Sequence, residues 1–471
     1  MNRSYLQCPQ CDTNYKALPP KHRCSDCGSA LEYQYDYEAL KSLVSLEGSI
    51  NFWRYASFLP EVKVKCRISL GEGGTPIIPA KRLSKKIGLT GLSLKDETRN
   101  PTNSFRDRAA TLMVSNSFEY GYKHLVCASN GNLGASVAAY AAKAGLECSV
   151  IVPRRVHVGK LAQMYAYNAQ ITTSGDIVDD SIEMAEKLAR EEGFYQATDG
   201  LNPLTIESQK TMAFEIWEQT DVPDWIIAPM GSGGTVYSLW KGFRELEVLD
   251  LSSKMPRIVG VQAEGCAPIV EAFEGEGGIK SPRKAETDAL AILVKRPLIG
   301  EQALKAIRES DGFAISVSDE SIRKAEGLLA QSEGLFSELA SAATISCVQK
   351  LVTDGAIDST DKVVCLITAS GLKAPYVLEA LIRHPKVVGV RGKVSVKLRI
   401  LRLLELGKSY GYLIWNSLGR SISLQAVYQH LTELEDKDLI SSKEEGKRKY
   451  YQIMGRGKRV LDALEELAAL F

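Results

Sequence analysis

The chain has 471 residues, 45% hydrophobic and 24% charged, a globular composition that excludes wholesale disorder, a collagen-like repeat and a small disulfide scaffold. At roughly 150 residues per domain it has room for about three domains. Its 58 Lys/Arg against 57 Asp/Glu leave a net charge of +1, which argues against polyanion binding along the whole length. The charge is uneven: residues 391–471 carry 15 Lys/Arg against 10 Asp/Glu, and the other 390 carry 43 against 47. A basic tail on a mildly acidic body points to a separate partner for the tail. No run reaches the roughly 18–20 apolar residues of a membrane span. The start, MNRSYLQCPQCD, lacks a signal peptide's apolar core. The expected location is cytoplasmic, with no membrane partner and with reduced cysteines.

Cys8, Cys11, Cys24 and Cys27 form C-x2-C, twelve residues, C-x2-C. Each pair can aim two thiolates at one point, and two pairs complete the closed tetrahedral four-sulfur site that Zn2+ favours. Such a site has no open position, so its metal is expected to be structural, a staple for a segment too small to fold alone. Cys66, Cys127, Cys148, Cys266, Cys347 and Cys365 stand singly and are expected as buried core thiols.

Continuous apolar runs at 125–129, 148–153, 225–230, 257–263 and 362–369 read as strands buried on both faces. Amphipathic stretches at 135–145 and 181–193, ended by Gly145 and Gly193, read as helices. The expected fold class is therefore α/β, a mainly parallel doubly wound sheet with ligands beyond the strands' carboxyl ends. Three polar turns follow strands there: SNGNLGAS (129–136), GSGGT (231–235) and TASG (368–371). They are expected on one sheet edge. A Gly-rich turn opening a helix offers free N–H groups and a positive dipole end to a phosphate. GSGGT lacks the Lys-Ser/Thr of a P-loop and is not GxGxxG.

GEGGTPIIPAKRL (71–83), LKDETRNPTNSFRDRAA (94–110), ASNGNLGASVAAYAAKAG (128–145), GKLAQMYAYNA (159–169), NPLTIESQKTMAFEI (202–216), PDWIIAPMGSGGT (223–235), GLFSELASAA (334–343) and TASGLK (368–373) run in order along residues 1–385. This series resembles the threonine synthases, fold-type-II (tryptophan synthase beta-like) pyridoxal 5'-phosphate (PLP) enzymes, some of which carry a cysteine ribbon. The resemblance implies doubly wound parallel sheets and PLP as cofactor. It implies that Asn132 meets the phenolic oxygen, that Gly231, Ser232, Gly233, Gly234 and Thr235 cradle the phosphate, and that Thr368 meets the pyridine nitrogen. It also implies an amino acid or phosphorylated amino acid as small-molecule partner.

One departure falls on the family's Schiff-base lysine. Its motif is S-F-K-D-R, and this sequence reads Ser104-Phe105-Arg106-Asp107-Arg108. Lysine can lose its proton and act as nucleophile and base, whereas arginine stays protonated. Family chemistry, O-phospho-L-homoserine to L-threonine and phosphate, should then fail, and PLP is expected to bind non-covalently. Lys95 and Lys160 match lysines ordinary in the family. Three readings of Arg106 stay open: drift at a lost function, an ionic partner for PLP or a substrate phosphate, and a substitution made to trap a bound state.

From Val390 the pattern changes. Helical periodicity at 394–407, 410–419 and 424–440 precedes a hairpin at 441–459 turning at Glu445-Gly446, and a last helix, RVLDALEELAALF. This resembles the winged-helix DNA-binding domains of small bacterial and archaeal repressors. The resemblance implies Gln425, Tyr428, Gln429 and His430 as readers on the helix from Ser423, and Lys447, Arg448 and Lys449 as wing contacts to phosphates. A winged helix used for protein contact is the alternative.

The expected domains are a zinc ribbon (1–45), a threonine-synthase-like body (46–388) and an α+β winged helix (389–471). One function is a PLP-binding regulator, catalytically impaired by Arg106, that binds double-stranded DNA as a homodimer and responds to an amino acid or PLP. The alternatives are a working threonine synthase with a regulatory appendage, and a structural pseudoenzyme that dimerises with an active paralogue.

Overall fold

The computed structural model describes residues 4–374 and 390–461, apart from 18–19, 43, 45, 155, 157, 276, 406, 419–421, 446–447 and 459. The chain divides into two compact units, residues 1–375 and 376–471. The expected turn residue Gly446, the wing residue Lys447, most of the last expected helix and the expected boundary at 388/389 lie outside the described residues.

The first unit opens with a small antiparallel sheet, β2-β1-β3, of β1 (Ser4–Gln7), β2 (Asn14–Lys16) and β3 (Glu32–Tyr35). One cysteine pair lies between β1 and β2, the other between β2 and β3. Asp12 and Gly28, each next after a pair, fold the chain back at φ +57° and +77°. Leu6, Leu31, Tyr33 and Tyr35 share one buried cluster with body residues such as Phe52 and Phe214, so the ribbon is built into the body. Buried charges also pin it there. The Tyr35 hydroxyl donates to Glu207 at 2.5 Å, and Lys241 donates to the Tyr33 carbonyl at 2.6 Å and to Glu207.

The body is built on two sheets. The larger has the order β12-β11-β10-β13-β5-β4, from β4 (Ile77–Pro79), β5 (Gly91–Asp96), β10 (Trp225–Pro229), β11 (Arg257–Ala263), β12 (Phe313–Val317) and β13 (Lys362–Ile367). It is parallel except for edge strand β4. The smaller, β8-β7-β6-β9, is parallel throughout, from β6 (His124–Ala128), β7 (Glu147–Val152), β8 (Gln170–Thr173) and β9 (Tyr195–Gln196). The continuous apolar runs are buried as expected of strands covered on both faces. The expectation that the three polar turns share one sheet edge needs correction. The turn at 129–136 follows β6 in the small sheet, while those at 231–235 and 368–371 follow β10 and β13 in the large one. Periodicity reports that a strand is buried, not which strand it pairs with.

The helices used below are α1 (Asp107–Glu119), α2 (Asn132–Ala144), α3 (Val158–Ala166), α4 (Val178–Glu191), α5 (Leu204–Gln209), α6 (Thr211–Thr220), α7 (Gly234–Val248) and α8 (Leu339–Thr353). All six single cysteines are buried, Cys66 in a 3-10 turn rather than a strand.

The second unit contains α9 (Val390–Glu405), β14 (Ser409–Tyr410), α10 (Gly411–Ser417), α11 (Leu424–Glu435), β15 (Ile440–Glu445) and β16 (Arg448–Ile453), with an antiparallel sheet β14-β16-β15. Ile400, Leu404, Ile414, Val427, Leu431, Leu434 and Tyr451 are among its core residues. Ser423 caps α11, its hydroxyl accepting from Ala426 N–H at 3.1 Å. The expected helix over 424–440 ends at Glu435. Asp438 takes φ +55°, a left-handed conformation an aspartate tolerates, and Ile440 starts β15. His430, expected as a reader, is buried, because it lies beside Val427 and Leu431 on the inner face of α11.

Candidate functional site

Arg106 immediately precedes α1, and the two residues after it are locked. Asp107 is fully buried and accepts from Thr102 N–H and Oγ1 at 2.7 Å each; burial pushes its pKa up. Arg108 is also fully buried. It donates to Glu97 at 2.8 and 2.7 Å and to Glu215 of α6 at 2.6 and 2.8 Å, while Lys95 donates to Glu215 at 2.7 Å. Despite burial, which acts to raise it, these cations hold the Glu215 carboxyl down at about 2. The backbone beside Arg106 is laced to the β13 turn, Phe105 N–H donating to the Thr368 carbonyl at 2.9 Å.

Between these anchors the Arg106 side chain lines a cavity shared by the three polar turns. Its Nη2 lies 2.7 Å from Asp199 Oδ2, and both side chains are 18% exposed. The second arms, Arg106 Nη1 and Asp199 Oδ1, are buried without a hydrogen-bond partner. Gly231 to Thr235 line the cavity as β10 passes into α7. Gly233 has φ +93°, and a Cβ there would stand 2.6 Å from the Ile299 carbonyl, so the turn requires glycine for its conformation and its packing. Thr235 Oγ1 donates to Gln209 at 3.1 Å, and the first N–H groups of α7 have no intrahelical acceptor. Ser232 Oγ is buried without a partner.

Asn132 opens α2, is 9% exposed and donates to Glu338 at 3.0 Å, while its Oδ1 is unpartnered. Thr368 lines the cavity with Oγ1 2.9 Å from Ser341 Oγ. The structure thus brings Arg106, Asn132, Gly231–Thr235 and Thr368 to one cavity, although two sheets supply them.

Sequence reasoning overlooked three groups. Asp199 lies in none of the matching segments, and Glu338, within GLFSELASAA, was given no role. Lys160, dismissed as ordinary, lines the cavity 1% exposed, with Nζ 3.0 Å from Glu338 Oε1. Lys373 is buried nearby, donates to the Thr102 carbonyl at 2.6 Å, and is pushed down to about 8 by burial.

In the ribbon the four thiols come together, every sulfur within 4.8 Å of the others. The Tyr15 hydroxyl, 3.0 Å from Cys24, is the main cause drawing that thiol down to about 6. An all-sulfur set of this kind, with Cys8 and Cys24 buried and Cys11 and Cys27 exposed, fits Zn2+.

In the second unit Gln425, Tyr428 and Gln429 are exposed on one face of α11. Arg448 and Lys449 are exposed on β16. Neither is unengaged. The Arg448 guanidinium lies over the Tyr410 ring at 4.5 Å, and Lys449 donates to Glu435 at 3.1 Å.

A family model described as pyridoxal-phosphate dependent enzyme matches residues 68–369. The chain belongs to that family. A threonine synthase of Methanocaldococcus jannaschii is 40% identical over 407 residues, 84% of this chain and 99% of the relative. A threonine synthase of Methanosarcina acetivorans is 38% identical over 390 residues, 82% and 96% of the two chains. The structure of maize serine racemase superposes with a TM-score of 0.57 at 20% identity, over 66% of this chain and 92% of that one. The body has the fold-type-II architecture of PLP-dependent enzymes. A second model, the transcriptional regulator PadR-like family, matches residues 400–463, and the second unit is a PadR-like winged helix. Among the described residues no helix is long and apolar enough to cross a membrane.

Proposed function

We infer that this threonine-synthase homologue binds PLP without a covalent anchor, lacks the family's catalysis, and uses its winged helix to bind double-stranded DNA as a homodimer in response to an amino acid or phosphorylated amino acid. The observation that carries this reading is Arg106 at the lysine position of S-F-K-D-R, paired with Asp199 inside the pocket. A guanidinium stays protonated, so it cannot take a proton from carbon or attack an aldehyde. What it can do is hold an anion.

The pocket suits PLP. The first N–H groups of α7 and Gly231–Thr235 would hold a phosphate, the free Asn132 Oδ1 would face a ring substituent, and the Thr368 hydroxyl the ring nitrogen. When bound, PLP supplies an electron sink for charge developing beside an amino group. The buried pair Lys160–Glu338 orients Asn132 through its Nδ2. The four ribbon thiols would take one structural Zn2+.

A second reading, a working threonine synthase with a regulatory appendage, is favoured by Lys160, the one lysine lining the pocket among the described residues. Its mark would be PLP reductively fixed to Lys160 together with turnover.

DNA binding is tested by titrating a short two-fold duplex with the full chain as salt rises. Affinity should fall with salt, each phosphate contact adding about 0.9 to the log–log slope. Replacing Arg448 and Lys449 with Ala should lower affinity for all sequences alike, whereas changes at Gln425 or Gln429 should mainly relax sequence choice. No binding at low salt returns the unit to protein contact.

A further inference from the structure

The pocket holds an anion of its own. Asp199 lies between β9 and α5, and a Cβ placed on Gly234, the first residue of α7, would stand 3.6 Å from Asp199 Oδ1. The carboxylate therefore sits beside a helix amino terminus, the position that most favours negative charge. Arg106 holds it there through one arm only, at 2.7 Å. A guanidinium and a carboxylate normally pair through both arms. Here Arg106 Nη1 and Asp199 Oδ1 remain buried without partners, and both side chains line the cavity together with Ser232 and Asn132, whose Oγ and Oδ1 are also unpartnered. The pair is half-made, and its loose donor belongs to the cation.

We propose that Asp199 is a displaceable internal stand-in for a phosphate monoester: it occupies the anion position at the start of α7 and Arg106 until a ligand's phosphate takes its place. This rests on the cofactor-pocket reading and adds a selection rule to it. A phosphate entering beside Asp199 meets a like charge, so binding requires the carboxylate to swing off the guanidinium. Arg106 then changes partner from Asp199 to the ligand. Ligands without a phosphate leave the pair intact. Asp199 sets the threshold for binding and Arg106 supplies the attraction, so the two residues have opposite effects on affinity. A merely structural ion pair would have both substitutions weaken binding.

The test uses the full chain, with PLP and pyridoxal titrated by fluorescence and inorganic phosphate followed by 31P NMR. An adjacent charge shifts an ionic equilibrium by about tenfold or more. Asp199→Asn should therefore tighten PLP and inorganic phosphate about tenfold and leave pyridoxal unchanged, while Arg106→Gln should weaken PLP. Asp199→Ala, which removes any new amide contact, should tighten phosphate as well. The proposal is overturned if both Asp199 variants, with wild-type urea midpoints, bind phosphate and PLP no tighter than wild type. If PLP binds to no form but phosphate still tightens in the variants, the stand-in holds and the cofactor reading fails instead.

Discussion

Arg106→Lys is expected to convert PLP from a dissociable ligand into one fixed to the chain. After borohydride reduction and unfolding, the unmodified protein should show the mass of the bare chain and the variant that mass plus one cofactor. The reason is local. Asp107 and Arg108 are buried and fully bonded, so a lysine at 106 starts from the same backbone position at the rim of the same cavity. A positioned acid–base group contributes typically 10²–10⁴-fold. Threonine formation from O-phosphohomoserine should therefore be at least about a hundredfold faster in the variant. Cofactor fixed to Lys160 in the unmodified protein, with turnover, would show that the departure at 106 had been bypassed.

Arg108→Met should be the most destabilising single change near the pocket. It removes a fully buried guanidinium that joins Glu97 to Glu215 and leaves two buried carboxylates with Lys95 as their remaining cation. Stranding buried charge in this way costs about 3–5 kcal/mol. Arg106→Met breaks a partly exposed pair and should cost much less. The two are compared by urea unfolding. The pH dependence has a definite sign. In the intact protein Glu215 is held at about 2, below its ordinary 4.5, so its contribution is present above pH 4.5 and lost as pH falls towards 2. In Arg108→Met burial outweighs the remaining attraction and the carboxyls titrate above their ordinary values. Protonation then relieves the folded state, and the variant's deficit should narrow as pH falls towards 4.5.

The parts of the molecule that sequence made legible are those encoded locally. Runs such as 225–230 and 363–367 are apolar at every position because both faces of a parallel strand are covered, and the cysteine spacing names its own geometry. Pairing is not local. β13 joins β5, about 270 residues earlier, and nothing in either strand says so, which is why the three polar turns were expected on one sheet edge. Buried charges mislead in a different way. Glu215 reads as the solvent face of an amphipathic helix until Arg108 and Lys95 are placed against it. Asp199, three residues after a two-residue strand, belongs to no pattern at all, and its role depends on the meeting of α1 and α7. In α11 the apolar spacing runs on through Leu439 and Ile440, and only the left-handed Asp438 shows where the helix gives way to the wing.

A ligand in the PLP pocket is expected to alter DNA binding by the winged helix. The most direct measurement is the affinity of the full chain for its duplex at fixed salt, alone and with PLP plus threonine or phosphohomoserine. A ligand shifts that equilibrium only by its differential affinity for the DNA-competent and incompetent states, and coupling of this kind is typically about 1–3 kcal/mol. A change of roughly fivefold or more is expected with at least one of these ligands. Identical affinity with every ligand, under conditions where PLP occupancy is demonstrated, would contradict it.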